Sequence, residues 1–309
     1  GTARAGATAA TGADGTLGMR NPVPPGTRTL PRLPNITLPE NVTITGDFPR
    51  SADVALLVTP VQTARDVSTR LQTVLDPTVP VVTCCKGLEQ ATSLLPLDVL
   101  AQTMPNRLTG VLSGPNFAIE VAKGLPAAAT LACADPALAQ KLTALLNTSS
   151  FRLYASDDAA GVQLAGAAKN VIAIGAGITI GAGLGENARA ALITRAVAEI
   201  GRLAEATGGR ASTLAGLAGM GDLILTCTGR GSRNYSVGLE LGEGRPLADI
   251  LASRTTVAEG VLTAPAMLAL ARRHNVRVPI METVTRLLND GVSIEEARHL
   301  LLDRPPTRE

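Results

Sequence analysis

The sequence has little of what metal centres and disulfide scaffolds need. Its 309 residues include two histidines, four cysteines and no tryptophan. The cysteines, Cys84, Cys85, Cys133 and Cys227, form no Cys-x-x-Cys pair and no cysteine–histidine cluster with zinc-site spacing. We therefore expect no bound metal, and the cysteines are typical of reduced core residues in a cytoplasmic protein.

The sequence also lacks the features of a nucleic-acid-binding or membrane protein. Charged residues make up 17% and aromatic residues 2%, the formal net charge is +2, and no lysine or arginine run occurs. Such a composition predicts no nucleic-acid partner. The start has no apolar signal segment. The longest uncharged stretch, 170–185, is shorter than the ~20 residues of a membrane span and contains several glycines, so we predict no membrane span.

Short β-branched runs alternate with helical stretches in the first half of the chain. Four segments have strand patterns: 53–60, 79–85, 111–113 and 127–133. Helical periodicity over 61–76 separates the first two. This alternation predicts an α/β domain with a parallel sheet. Ligands of such sheets bind beyond the carboxyl ends of the strands, which is where Lys86 and the turn at 114–116 fall.

The pattern changes near residue 157, where strand signals fade and long helices rich in alanine, leucine and isoleucine follow. The predicted helices are 186–206, 259–273, 278–289 and 293–302. The sequence therefore predicts a parallel-sheet domain over 1–156 and an all-helical domain over 157–309.

Lys169 lies within a small and apolar segment, Gly161–Ile174. Its neighbours one turn away on both sides are apolar or small, so burial removes hydration and favours the neutral amine. An ammonium group destabilised in this way gives its proton more readily to a developing alkoxide. The alternative is a lysine whose ammonium reaches solvent along an alanine-rich helix.

Two polar segments follow Lys169 in the sequence. Asp222 comes after a glycine-rich turn, where it can accept a hydrogen bond from a substrate hydroxyl or cap a short helix. The segment Thr228-Gly-Arg-Gly-Ser-Arg-Asn234 offers hydroxyl, guanidinium and amide donors beside glycines. Such a set suits a phosphate monoester, and the alternative is a solvated loop.

Motifs in this order resemble the bacterial NAD(P)-dependent glycerol-3-phosphate dehydrogenase family. The similarity covers about Asp53 to His274. It rests on Lys86-Gly-Leu-Glu89, Ser113-Gly-Pro-Asn-Phe-Ala118, Gly124-Leu-Pro126, Ala168-Lys-Asn-Val-Ile-Ala-Ile174, Gly185-Glu-Asn-Ala-Arg-Ala-Ala-Leu-Ile-Thr-Arg195, Leu217-Ala-Gly-Met-Gly-Asp-Leu223, Thr226-Cys-Thr228, Ser232-Arg-Asn234 and Val257-Ala-Glu-Gly260.

The resemblance implies a Rossmann-type domain followed by a helical substrate domain. It also implies interconversion of dihydroxyacetone phosphate and sn-glycerol 3-phosphate, a precursor of phospholipids, with NAD or NADP as cofactor. We expect a small phosphorylated substrate and a homodimer in the cytoplasm.

By the resemblance, Lys169 is the catalytic proton donor. The positions that match substrate-binding motifs are Lys86, Gly114, Asn116, Lys169, Asn170, Asp222, Thr226, Ser232, Arg233 and Asn234. The positions that match cofactor-binding motifs are Arg20, Lys86, Ala118, Arg233, Val257 and Glu259.

The sequence departs from the family pattern in two places. Members begin with an apolar strand and Gly-x-Gly-x-x-Gly followed by Thr-Ala, whereas Gly1-Thr2-Ala3 resembles only the tail of that motif. We therefore expect the first strand and the earlier glycines, which bring the pyrophosphate to a helix N-terminus, to be missing. Asn116 stands where the family often has serine or threonine.

Two other functions are compatible with these motifs. One is a related two-domain dehydrogenase that acts on another hydroxy acid, against which the phosphate-binding segment at 232–234 argues. The other is a non-catalytic or cofactor-deficient remnant of the family.

Overall fold

The computed structural model describes residues 14–18, 26–30, 33–229, 231–254 and 258–302. The chain divides into two compact units. The first comprises the chain to Cys85 together with Pro96–Ala159, and the second comprises Lys86–Leu95 together with the chain from Ala160 onward.

The first unit is built on a five-stranded sheet in the order β5-β6-β7-β8-β9. The strands are β5 Ala55–Leu57, β6 Val81–Thr83, β7 Thr109–Ser113, β8 Ala127–Cys133 and β9 Phe151–Ser156. Four shorter strands precede them: β1 Gly15–Gly18, β2 Thr29–Leu30, β3 Leu33–Thr37 and β4 Val42–Thr45. The pair β1–β4 is parallel and the pair β2–β3 is antiparallel.

The predicted parallel sheet is confirmed at three of its four strand pairs, and at the fourth β8 runs antiparallel to β7. The helix between them, α3 Ala118–Ala122, has five residues. It spans roughly 8 Å, whereas β7, along which the chain would have to return, extends over roughly 17 Å. So short a helix does not return the chain to the start of β7, and β8 therefore runs in the opposite direction.

Prolines shorten the first two strands of this sheet relative to their apolar runs. Pro80 has no N–H to give to the ladder and β6 begins after it; Pro60 precedes a 3₁₀ turn over Val61–Thr63. The helix predicted over 61–76 is that turn followed by α1, Ala64–Gln72. The remaining helices of this unit are α2 Pro96–Thr103 and α4 Pro136–Leu146.

Both faces of the sheet are covered. Val81 and Val82 are fully buried and, as neighbours on a strand, point to opposite faces. Each belongs to a separate apolar cluster, the cluster of Val82 with Leu112 and Leu131 and that of Val81 with Leu57. A doubly covered sheet explains the continuous apolar runs of the sequence.

All the elements of the described second unit are helices. They are α5 Ala159–Gly181, α6 Gly185–Ala206, α7 Asp222–Thr228, α8 Arg233–Gly242, α9 Leu247–Ala252, α10 Glu259–Arg273, α11 Pro279–Asn289 and α12 Ile294–Leu302, with a 3₁₀ segment Ala211–Ala215 and a π-helical turn Leu217–Gly221. The predicted bounds of α6, α10, α11 and α12 agree with these to within one residue.

Helix α5 is the core of this unit. It is the one described helix whose length and apolar composition would let it cross a membrane, and 89% of its most apolar window is buried. Glycines bring α8 against it: a Cβ on Gly177 would lie 2.2 Å from the carbonyl oxygen of Tyr235, and one on Gly238 would lie 2.0 Å from that of Ile174. Two helix backbones in such contact need glycine on both sides.

Candidate active site

Lys169 is buried on α5 with 7% of its surface exposed. Its Nζ atom donates to Asp222 Oδ1 at 2.5 Å and to Thr226 Oγ1 at 3.0 Å. The alternative in which its ammonium extends into solvent does not hold, because a carboxylate and a hydroxyl take its hydrogen bonds inside the unit.

Asp222 is positioned by an unusual piece of backbone. A π-helical turn over Leu217–Gly221 leads into α7, whose first residue is Asp222. The N-cap is Gly221 and no side chain caps this helix, so Asp222 does not serve as the cap. One turn later Thr226 lies on the same face, and its hydroxyl donates to the carbonyl oxygen of Asp222.

The carboxylate of Asp222 lies between two ammonium groups. Lys86 Nζ donates to Oδ2 at 2.5 Å, while Lys169 takes Oδ1. Asp222 is 1% exposed. Its burial alone would raise the pKa of the carboxyl group, but the charges and hydrogen bonds of Lys169 and Lys86 outweigh it and hold that pKa below its usual value. With all three groups ionised, the cluster carries one excess positive charge.

The hydrogen bond from a substrate hydroxyl to Asp222 stays a prediction, and it would be made to a carboxylate that both lysines already use. Each of its oxygens already accepts from a lysine. Its evident structural role is to bring the two ammonium groups together. Beside it, burial raises the pKa of the Cys227 thiol to about 12, so this cysteine is a poor nucleophile.

Asn170 and Asn234 are buried next to this cluster. Asn170 Nδ2 donates to the carbonyl oxygen of Lys86 at 3.1 Å. Asn234 Nδ2 donates to Asn170 Oδ1 at 2.9 Å, and its Oδ1 accepts from Gly260 N at 2.9 Å. The amides thus connect the backbone of Lys86 with the first turn of α10.

The predicted phosphate-binding residues lie at the start of α8. Ser232 caps this helix through its Oγ atom, which accepts from Tyr235 N at 3.2 Å. Arg233 is exposed at the first position of the helix, and Asn234 follows it, buried. The three residues are therefore adjacent but have different environments. Arg230, which belongs to the same segment, lies outside the described residues.

Gly114, Asn116 and Ala118 lie in the first unit, directly after β7. Gly114 has φ +153°, and a Cβ there would lie 2.7 Å from Ala129 Cα, so the backbone requires glycine. Ser113 Oγ and Asn116 Nδ2 are buried without a hydrogen-bond partner. Ala118 begins α3.

These orphaned polar atoms suit a nicotinamide dinucleotide. Its phosphates, ribose hydroxyls and carboxamide are rich in hydrogen-bond acceptors, and the Asn116 Nδ2 group is a buried donor that needs one. It also lies beyond the carboxyl end of a strand, where sheets of this class bind such ligands. The described residues at this end of the sheet therefore fit the cofactor.

The other predicted cofactor contacts are dispersed. Glu259 is half-buried at the start of α10. Arg20, Val257 and the opening segment Gly1-Thr2-Ala3 lie outside the described residues.

Sequence reasoning missed Gly260. It follows Glu259 in the motif Val257-Ala-Glu-Gly260 and is the second residue of α10, where a glycine carries no specific signal in the sequence. Only the hydrogen bond from its N–H to Asn234 identifies it.

Comparison with known proteins identifies the family of this chain. A profile described as NAD-dependent glycerol-3-phosphate dehydrogenase C-terminus matches residues 158–299, and the corresponding N-terminus profile matches 27–139. A glycerol-3-phosphate dehydrogenase [NAD(P)+] of Gluconobacter oxydans is 95% identical over 309 residues, which are 100% of this chain and 95% of that protein.

More distant relatives carry the same description. The glycerol-3-phosphate dehydrogenase [NAD(P)+] of Aromatoleum aromaticum is 50% identical over 282 residues, covering 90% of this chain and 86% of that protein. The crystal structure of glycerol-3-phosphate dehydrogenase from Coxiella burnetii matches with a TM-score of 0.83 and 37% identity, covering 88% of this chain and 84% of that one. The chain therefore belongs to the NAD-dependent glycerol-3-phosphate dehydrogenase family, whose fold joins a Rossmann-type domain to a helical one.

Proposed function

We propose that Lys169 is the proton donor when this chain, as an oxidoreductase of its family, reduces dihydroxyacetone phosphate to sn-glycerol 3-phosphate. The observation that supports this role is the buried Lys169–Asp222–Lys86 cluster. When bound, NADH or NADPH supplies the hydride that the carbonyl carbon accepts. The carbonyl oxygen then takes a proton from Lys169 Nζ, and in the reverse reaction returns it there.

The arrangement around Lys169 suits this role. An ammonium has three N–H groups, and in the described residues Asp222 and Thr226 take two of them. The third is available to a substrate oxygen. Since one carboxylate is shared by two ammonium groups, the excess positive charge stabilises a developing alkoxide in a site from which water is largely excluded.

We assign the phosphate end of the substrate to the start of α8. A dianionic phosphate needs several donors and a cation. Arg233 offers an exposed guanidinium, and Asn234 has a second Nδ2–H beyond the one given to Asn170. The other proposed substrate contacts are Lys86, Gly114, Asn116, Asn170, Asp222, Thr226 and Ser232.

We assign the cofactor to residues of matching motifs, supported by the unpartnered Asn116 donor. They are Arg20, Lys86, Ala118, Arg233, Val257 and Glu259. The boundary between a cofactor domain over 1–156 and a substrate domain over 157–309 belongs to the same proposal.

We further propose a homodimer in the cytoplasm. Sedimentation equilibrium of the purified chain tests the assembly, since a monomer mass at micromolar concentration would contradict it. Fractionation of the source cells tests the location, and recovery with the membranes would contradict it.

The test of the mechanism is Lys169→Ala. Loss of a positioned proton donor lowers turnover by roughly 10² to 10⁴-fold, while affinity for NADH, followed by fluorescence titration, stays close to that of the wild type. Lys141→Ala, which removes an exposed lysine from α4, is the matched control with normal turnover. Normal turnover in Lys169→Ala would remove this residue from the mechanism.

The test of the substrate is Arg233→Ala with two ketones. Because charge-assisted hydrogen bonds contribute about 1.5–3 kcal/mol, the KM for dihydroxyacetone phosphate rises by roughly tenfold to a hundredfold. Because Arg233 is also assigned to the cofactor, both ketones are measured at saturating NADH, where activity on unphosphorylated dihydroxyacetone changes little. Arg195→Ala, at an exposed position of α6, serves as control.

The same measurement separates the other candidate functions. Equal wild-type rates with both ketones would favour a dehydrogenase for another hydroxy acid. No NADH binding by a folded wild-type chain would favour a cofactor-deficient remnant.

A further inference from the structure

Four segments that are far apart in sequence are joined by three amide hydrogen bonds, two of them buried and one partly buried. They run from Gly260 N–H to Asn234, from Asn234 to Asn170, and from Asn170 to the carbonyl oxygen of Lys86, with lengths of 2.9, 2.9 and 3.1 Å. The partners are separated by 26, 64 and 84 residues. We call this series the amide relay.

The two ends of the amide relay fix its direction. The backbone N–H of Gly260 can only donate, so Asn234 presents Oδ1 to it and Nδ2 to Asn170. The carbonyl of Lys86 can only accept, so Asn170 presents Nδ2 to it and Oδ1 to Asn234. Each link therefore admits a single amide orientation, and aligned hydrogen bonds of this kind polarise one another.

The amide relay reaches the reacting groups through Lys86. Its carbonyl is held by Asn170, and its ammonium is held by the same carboxylate that binds Lys169. The residue after it, Gly87, has φ +151°, a conformation that glycine adopts without the steric cost that other residues incur. The hydrogen bond from Asn170 is one restraint on this part of the backbone.

The first turn of α10 approaches the two amides so closely that position 260 has no room for a side chain. A Cβ would lie 2.6 Å from the carbonyl oxygen of Asn170 and 2.8 Å from Asn234 Oδ1. Both distances are shorter than real Cβ contacts, so α10 or the amides must move if any other residue occupies this position.

We propose that Gly260 is a positioning residue for the reduction, because it orients the amide relay and thereby holds Lys86 beside Asp222 and Lys169. The inference rests on the proposed function, since it gives the relay a catalytic purpose. The remaining N–H of Asn234 Nδ2 is still able to donate to a phosphate, so the relay and that assignment are compatible. The relay presents this amide already oriented.

The first test is Gly260→Ala in the full-length enzyme. Small displacements of reacting groups reduce rates by up to about 10²-fold, so kcat/KM for dihydroxyacetone phosphate falls by about tenfold to a hundredfold per folded molecule. Gly201→Ala is the matched control, because this buried glycine of α6 leaves a Cβ 3.4 Å from Ala211 Cβ, an ordinary contact. It retains the wild-type kcat/KM.

The second test separates positioning from structural damage. If Gly260 acts through Asn234, the losses of kcat/KM in Gly260→Ala and Asn234→Ala do not multiply. The kcat/KM of the double variant then stays within about twofold of that of the less active single variant. If the fold-loss of kcat/KM in the double variant equals the product of the two single losses, the relay is overturned. Structural damage alone lowers the melting temperature and the folded fraction without producing this coupling in kcat/KM.

If Gly260→Ala does not fold, the same cycle is run with Asn170→Ala and Asn234→Ala, where additive losses again overturn the relay. The outcomes also separate the two proposals. Normal turnover in Lys169→Ala rejects the proposed mechanism. Normal kcat/KM in Gly260→Ala, with an inactive Lys169→Ala, rejects the relay alone.

Discussion

Each unit of this protein buries a cationic side chain, and the two are satisfied in different ways. In the first unit, Arg107 is 8% exposed and donates to the carbonyl oxygens of Leu75, Asp76 and Val79 and to Gln72 Oε1. In the second, Lys169 is 7% exposed and faces a carboxylate that it shares with Lys86.

The difference separates a structural cation from a chemical one. The guanidinium group of Arg107 donates mainly to backbone carbonyl oxygens, whose positions are fixed. Its charge is dispersed over these hydrogen bonds, which close the loop after α1. The pair of lysines has one carboxylate between them, which leaves positive charge and a donor for a ligand. Burial alone therefore does not identify a functional cation; the composition of its partners does.

Among the substitutions that test this difference, Asp222→Asn should have the largest effect on stability and turnover. It leaves the buried ammonium of Lys169 and the partly buried ammonium of Lys86 together without a counter-ion, and removal of one partner from a buried ion pair destabilises by about 3–5 kcal/mol. We expect the free energy of unfolding to fall by that amount in urea at neutral pH, with a loss of turnover in the molecules that remain folded. Unchanged stability would mean that the lysines do not depend on this carboxylate.

Arg107→Met should destabilise without affecting the chemistry. Buried carbonyl oxygens lose their donors, and an unsatisfied buried acceptor costs about 1–3 kcal/mol, so a total loss near 3 kcal/mol is expected in urea unfolding. The turnover of each folded molecule stays normal. If turnover falls as it does in Asp222→Asn, the distinction between the two cations is wrong. Arg107→Lys keeps the positive charge but loses the several N–H groups of the guanidinium, so its stability in urea lies between those of the wild type and Arg107→Met.

The smallest expected effect is a difference between Asp222→Asn and Arg107→Met in how the free energy of unfolding depends on pH. The pKa of Asp222 is lower in the folded protein than in the unfolded chain, so its stabilisation is complete above the unfolded value of about 3.9. It is lost as pH falls below that value through the folded pKa. The stability difference between wild type and Asp222→Asn therefore shrinks in acid, whereas that between wild type and Arg107→Met persists. Urea unfolding at several pH values measures both.

The helices of the second unit could be predicted from the sequence because their signals are local. The end of α10 is an example: Arg273 is its last residue, and Asn275, just beyond, has φ +55°, a conformation that asparagine tolerates at helix ends. The direction of β8 could not be predicted in this way. It depends on how far α3 carries the chain, which the alternation of apolar residues does not record.

The candidate site likewise has features that the sequence predicts and features that depend on the tertiary structure. The sequence alone determined which residue types are present: an apolar segment around Lys169, donors at 232–234, and motifs whose order indicates the family. The tertiary structure decided their partners. Asp222 is 53 residues from Lys169 and 136 from Lys86, and Gly260 has its role only because α10 begins beside two buried amides. Local sequence encodes backbone preference and burial, whereas the pairing of distant charges and amides is fixed only when the helices pack.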